Sequence, residues 1–252
     1  MEIAIYIIGG LLAGLATGLV GLSAATIIAP LFVTVLGMDP YIAIGIALAS
    51  DVFASSGSAY IYTKNKNINI KAALLIAIII VIFTFVGSYI SADLKPGFLG
   101  SSVNFLVIFL GLRFIFYPVK TNPNLIKTRN KSFLVIAAIF FSIIIGLTSG
   151  MFGVGGGLSI LALLTMLLGF NLKKAVGTSV FIMIFVALVG AITHFAIKQP
   201  EILPVIIASV SAFIGANLAS VFANKISEVV LNRLVGIFLL VYGITLTIIY
   251  FI

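Results

Sequence analysis

The chain has 252 residues, 62% of them hydrophobic and 8% charged, with a mean hydropathy of +1.36. A soluble domain is about 45–50% apolar and about 25% charged, so too few polar side chains exist here to cover a water-soluble globule, and disorder and collagen fail on the same composition. The net charge of +8 does not mark a nucleic-acid binder, because the Lys and Arg residues lie in short breaks between apolar runs rather than on a patch or stripe.

Apolar runs cover approximately residues 3–22, 23–36, 41–63, 70–92, 101–118, 133–150, 155–168, 173–197, 201–222 and 231–252. A straight crossing needs about 20 residues, and eight runs meet or approach that length. Runs 23–36 and 155–168 are too short, and each follows a Gly-rich break. The expected class is an all-α polytopic membrane protein in the cell membrane, with the lipid bilayer as its surroundings. Met1-Glu2-Ile3 lacks the basic start of a cleaved signal peptide, so the first run is expected to be a retained span.

The polar connector 119–132 divides the chain into halves, 1–118 and 133–252, that resemble each other. Gly14-Leu15-Ala16-Thr17-Gly18-Leu19-Val20-Gly21 aligns with Gly146-Leu147-Thr148-Ser149-Gly150-Met151-Phe152-Gly153 at one constant offset in numbering. The same offset pairs Gly37 with Gly169 and Gly45 with Gly177. A shorter second loop, giving a slightly smaller offset, pairs Gly87 with Gly215 and Asn104 with Asn232. The reading is an internal duplication of about five helical elements per half, with a short Gly-interrupted hairpin in each. If each short run turns back at its glycines, every basic residue except Lys95 and Lys198 falls on one face. The positive-inside rule makes that face cytoplasmic. Both termini are then expected outside, and the two repeats are inverted relative to each other, the pattern of secondary transporters.

Two tips are candidate substrate sites: Gly21, Ser23, Ala24, Ala25 and Thr26 in the first, and Gly153, Gly155, Gly156 and Gly157 in the second. Backbone inside a bilayer must satisfy itself or line a wet cavity, and helix starts present N–H groups to an anion. Close packing of small residues is the competing explanation. Asp51 lies midway along its run, where an ionisable group is costly. Asp51, Ser55, Ser58 and Tyr62 share one helix face and suggest a pathway, coupled to a proton or sodium if the carboxylate faces the anion. The offset between the aligned tips maps this stripe onto Met183, Ala187, Gly190 and His194. His194 lies close to the outer helix end, as an interfacial residue or a proton carrier. Arg113 is read as a snorkelling anchor.

Ser149 with His194 is the pair an intramembrane hydrolase would use, but no GxSG sequence surrounds the serine, and the two are expected near opposite helix ends. No catalytic residue, metal site or cofactor is therefore assigned, Cys being absent. An anion channel stays open as an alternative to a carrier, as does a homodimer.

The duplicated tips, the segment Ala175-Val176-Gly177-Thr178-Ser179 and the Gly87 and Gly215 helices resemble the TauE/SafE family of sulfite and organosulfur-anion exporters, over about residue 5 to the C-terminus. The resemblance implies transport of a small anion such as sulfite or a sulfonate, with Thr178 and Ser179 at the site. In that family both tips tend to read GxGGG followed by a Pro. Here the first tip is Gly21-Leu22-Ser23-Ala24-Ala25 with Pro30 retained, and the second has Ala162 where the Pro would fall.

Overall fold

A computed structural model describes residues 2–95, 131–153 and 156–227, together with Val229, Val230, Arg233, Ile237, Val241 and Ile244. Arg113, Asn104, Asn232 and most of the connector lie outside these residues. Among the described residues the chain is helical throughout: α1 (Glu2–Val20), α2 (Ala25–Leu36), α3 (Pro40–Lys64), α4 (Ile70–Ser91), α5 (Lys131–Phe152), α6 (Gly156–Ala162), α7 (Leu172–Ile197) and α8 (Ile202–Lys225). Six of these are long and apolar enough to cross a membrane. Large apolar side chains such as Leu75, Ile136 and Leu218 are exposed on the outside, as lipid requires. This is a multi-pass membrane fold.

Local chemistry sets the boundaries. The side chains of Asp39, Asn69 and Asn171 cap α3, α4 and α7 by accepting from the N–H groups of Ile42, Ala72 and Lys174. Pro40 follows the first cap at N1, where its missing N–H costs nothing. Gly37 and Gly169, both left-handed at φ +63°, stop the preceding segments. α2 carries Pro30 in its interior, whereas α6 widens into a π-helical turn over Leu163–Leu167, immediately after Ala162. Each feature breaks the regular hydrogen-bond ladder at the same depth from its tip. The irregularity persists where the proline does not.

α2 returns along α1, with Tyr6 meeting Phe32 edge-on at 5.2 Å. At 12 residues it spans about 18 Å, short of the bilayer core. α1 packs in parallel on α8 through Gly10, Gly14 and Gly18, which face the carbonyls of Ala208, Ala212 and Ala216. α5 packs in parallel on α4 in the same way, with Gly146 and Gly150 facing the Ile80 and Thr84 carbonyls. These small-residue seams bring backbones into contact where lipid supplies no hydrophobic drive. α3 and α7 lie antiparallel at the centre: Gly45 faces His194 and Phe195, while Gly177 faces Tyr62 and the Asn67 carbonyl.

Element starts and breaks recur at the offset that aligns the tips: α1 and α5 end at Val20 and Phe152, α3 and α7 start at Pro40 and Leu172, and α4 and α8 start at Ile70 and Ile202. The last pair corrects the smaller offset expected after the second loop. Gly87 and Gly215 stand one helical turn apart in the common register, against Leu147 and Leu11 respectively.

Candidate site where the two tips meet

Each break opens with a glycine in the left-handed region, Gly21 at φ +68° and Gly153 at φ +65°. Their N–H groups still bond back to the Thr17 and Ser149 carbonyls, at 2.8 and 2.9 Å. In the first tip Ser23 then serves the start of α2. Its hydroxyl accepts from the Ala25 N–H at 3.3 Å and its carbonyl from the Thr26 N–H at 3.0 Å. The Ile27 N–H goes to the Ala24 carbonyl at 3.1 Å. The first amides of α2, expected to be free for an anion, are thus taken within the tip.

A carboxyl group of the chain itself stands beside this tip. Asp51 is 0% exposed, its Oδ2 lies 2.7 Å from the Ser23 hydroxyl and its Oδ1 accepts from Ser55 at 3.0 Å. The same Ser23 hydroxyl is 3.1 Å from the Gly153 carbonyl of the second tip. One side chain therefore touches both breaks and the central helix α3.

In the second tip Gly155 lies outside the described residues. Gly156 is bounded by the Ser149 hydroxyl and the Met183 sulfur, and Gly157 packs on the Gly21 carbonyl and the Ser23 N–H. Gly157 has no room for a side chain, because what a Cβ would meet there is backbone, whereas at Gly156 it would meet the movable ends of Ser149 and Met183. Met183 takes the place in the second half that Asp51 takes in the first. Among the described residues Ser149 is buried without a hydrogen-bond partner, as are Thr26, Ser58 and Ser142.

Of the residues singled out from sequence, Gly21, Ser23, Ala24, Ala25, Thr26, Gly153, Gly156, Gly157, Asp51 and Ser55 gather here. Ser179 joins them, its hydroxyl lying over Gly21. Thr178 does not: its hydroxyl accepts from the Asn69 N–H at 3.0 Å and donates to the Lys174 carbonyl, fastening the α3–α4 loop near the start of α7. Ser58 and Tyr62 are fully buried, and Tyr62 donates to the Gly18 carbonyl at 3.1 Å. His194 is buried rather than interfacial. Its Nδ1 is 3.0 Å from the Tyr41 carbonyl and its Nε2 is 3.1 Å from the Gly150 carbonyl, with the ring stacked on Tyr41 at 4.0 Å. That places it against the carbonyl of Gly150, the residue after Ser149, not at the opposite end as expected. Both ring nitrogens nevertheless meet carbonyls, and among the described residues no base reaches the Ser149 hydroxyl to activate it.

Sequence reasoning passed over Ser149 as a tip residue, although its place one residue before Gly150 was visible. A separate apolar cavity of about 430 Å³ lies between α5 and the α6 segment, lined by Phe141, Ile144, Ser159 and Met166 among others. Its walls are hydrocarbon and it is not at the tips. Among the described residues no cluster of three His, Cys, Asp or Glu side chains could hold a metal.

A family model described as "Sulfite exporter TauE/SafE" matches residues 6–246. Two relatives from Bacillus subtilis (strain 168) are similar along most of their length. "Probable membrane transporter protein YunE" is 25% identical, over 96% of both chains. "Probable membrane transporter protein YdhB" is 24% identical, over 88% of this chain and 90% of its own. No solved structure matches the chain.

Proposed function

The chain belongs to the TauE/SafE family of membrane transporters, and from that premise we propose that it is an alternating-access carrier of a small sulfur-containing anion, sulfite or a sulfonate, held between the two tips. The observation that carries this reading is the meeting of the tips: Gly157 lies on Gly21 and Ser23, and Ser23 reaches Gly153. Two hydroxyls that have no partner among the described residues, Thr26 and Ser149, are buried one in each tip region and offer donors to an anion. Gly155, Gly156 and Gly157 would let it approach the backbone. The burial of Ser23, Thr26 and Asp51 favours a carrier over a channel, because an open conduit would leave them wet.

The antiparallel contact of α3 with α7, whose starts are related by the same offset as the tips, supports two inverted repeats, 1–118 and 133–252. Charge supports an orientation in the cell membrane. Lys64, Lys66, Lys71, Lys173, Lys174 and Lys225 lie at one end of the bundle, and Glu2, Asp39, Asp93 and Glu201 at the other. The basic end is cytoplasmic on the positive-inside rule, with both termini outside. A monovalent anion that crossed alone would be driven outward by about 2.3 kcal/mol per 100 mV.

Purified protein in liposomes should show saturable sulfite flux and counterflow, and Gly157→Ala should slow it about tenfold or more, since overpacking costs about 1–3 kcal/mol. Stepwise single-channel currents, or no sulfite flux from the wild type, would overturn the reading.

A further inference from the structure

The hydrogen count around Ser23 points beyond substrate holding. The Ser23 hydroxyl owns one proton and has two acceptors within reach, Asp51 Oδ2 at 2.7 Å and the Gly153 carbonyl at 3.1 Å. Its own oxygen already accepts from the Ala25 N–H. With Asp51 ionised the single Ser23 proton cannot serve both, so either Oδ2 or the Gly153 carbonyl loses it, while the carboxylate keeps the Ser55 hydroxyl and faces the Ala24 N–H. Among the described residues Ser23 is the donor that reaches that carbonyl. With a proton on Oδ2 the sum closes: Asp51 donates to Ser23, Ser23 donates to Gly153, and Oδ1 keeps the Ser55 hydroxyl. Buried polar networks are stable when every member is satisfied and costly when one is not.

We infer that Asp51 is the proton-binding site of this carrier, and that its proton latches the two tips together through Ser23. The inference rests on the transport reading above and adds the coupled ion. Protonation turns the chain Asp51–Ser23–Gly153 into a continuous donor relay joining α3, the first tip and the second. Release of the proton swings the Ser23 O–H back to the carboxylate and leaves the Gly153 carbonyl without it, so the tips separate. No covalent bond changes: one proton binds at Oδ2 on one side of the membrane and leaves on the other. A protonated Asp51 also removes the charge that would repel a bound anion. A monovalent anion then crosses with one proton and no net charge.

Among the described residues no charged side chain stands beside this carboxyl. α2 and the described part of α6 carry no titratable side chain. α1 carries Glu2 and Tyr6 at the end remote from its tip. α7 has Lys173 and Lys174 in its first turn and His194 in its last. α8 has Glu201 before its first turn and Lys225 in its last. On α3 itself Tyr41, Tyr60, Tyr62 and Lys64 lie toward the ends. The polar side chains on Asp51 are the two serines.

Two measurements test it. Infrared difference spectra of the reconstituted protein should show the C=O stretch of a buried carboxylic acid, lost as pH rises. The band should be absent in Asp51→Asn and moved to higher frequency in Ser23→Ala, which removes the acid's acceptor. Methanesulfonate, whose charge is fixed over the working pH range, should enter wild-type liposomes together with protons and without building a potential. Asp51→Asn, whose amide donates to Ser23 as the acid would, should move it without protons and independently of pH. A missing band, a band that survives Asp51→Asn, unchanged pH dependence in that variant, or flux driven by sodium instead of protons would each overturn the latch. Loss of all wild-type flux with the band intact would instead sink the transport reading and leave the latch standing.

Discussion

Tyr62 on α3 and His194 on α7, matched by the offset that aligns the tips, do the same job. Tyr62 reaches the Gly18 carbonyl and His194 the Gly150 carbonyl, at 3.1 Å each. Both carbonyls belong to the last turn of a helix that stops at a tip, and the usual partner of Gly18, Leu22, has left the helix. A broken helix inside a bilayer has no water to satisfy its end; Tyr62 donates to the Gly18 carbonyl, and His194 donates to the Gly150 carbonyl in its Nε2–H tautomer.

Tyr62→Phe should therefore destabilise the protein by about 1–3 kcal/mol, the cost of a buried carbonyl left alone. The Gly150 carbonyl has a second donor, the Ser88 hydroxyl at 3.2 Å. His194→Phe should cost less at that carbonyl, and His194→Phe with Ser88→Ala more than the sum of the two by about 0.5 kcal/mol or more. Thermal unfolding in detergent reads all four variants, and strict additivity would refute the shared role.

Gly21 and Gly37 make a controlled comparison. Both have positive φ, but a Cβ at Gly37 meets nothing within 4 Å while one at Gly21 meets the Ser179 hydroxyl. Gly37→Ala should cost only the left-handed conformation, about 1–2 kcal/mol. Gly21→Ala should cost more, and Ser179→Ala should recover the excess. Equal midpoints for the two single alanines would show that the Ser179 contact has no weight.

Much of the architecture was legible because bilayers enforce it. Run 41–63 became Pro40–Lys64, and the short runs 23–36 and 155–168 became the short segments Ala25–Leu36 and Gly156–Leu167. The candidate site was legible in part. Spacing put Asp51 and Ser55 on one face, but nothing local says that Ser23 joins Asp51 to the carbonyl of Gly153, in the other half of the chain. The alignment of the halves paired Tyr62 with His194 without revealing their task, since their partners are backbone atoms that carry no side-chain signature. Thr178 misled for the opposite reason: its neighbour Ser179 faces the tip, and one residue along a helix turns the side chain by about 100°.

The glycine seams should tolerate no branching. At Gly14 an added Cβ would meet the Ala212 backbone, and at Gly150 the Thr84 backbone, so two helices must part rather than one side chain rotate. Gly14→Val and Gly150→Val should each cost about 1–3 kcal/mol, seen as lower monodisperse yield and earlier melting. Leu75→Val on the lipid face should leave both unchanged, since its side chain is 70% exposed. Equal behaviour of all three would mean that the seams are loosely packed.

The proposed orientation is testable with unusual directness because the chain has no cysteine, so each introduced thiol is the only one present. Asn65 is exposed at the basic end of α3, and Gln199 is exposed beside Lys198, whose ammonium pairs with Asp39 at 3.1 Å at the acidic end. Neither side chain enters the tips. In intact cells a membrane-impermeant maleimide should label Gln199→Cys and spare Asn65→Cys, and permeabilisation should expose the second. The reverse pattern would invert the protein in the membrane and move both termini to the cytosol. Labelling of both sites from outside would break the charge argument itself, because it would place basic and acidic ends on one face.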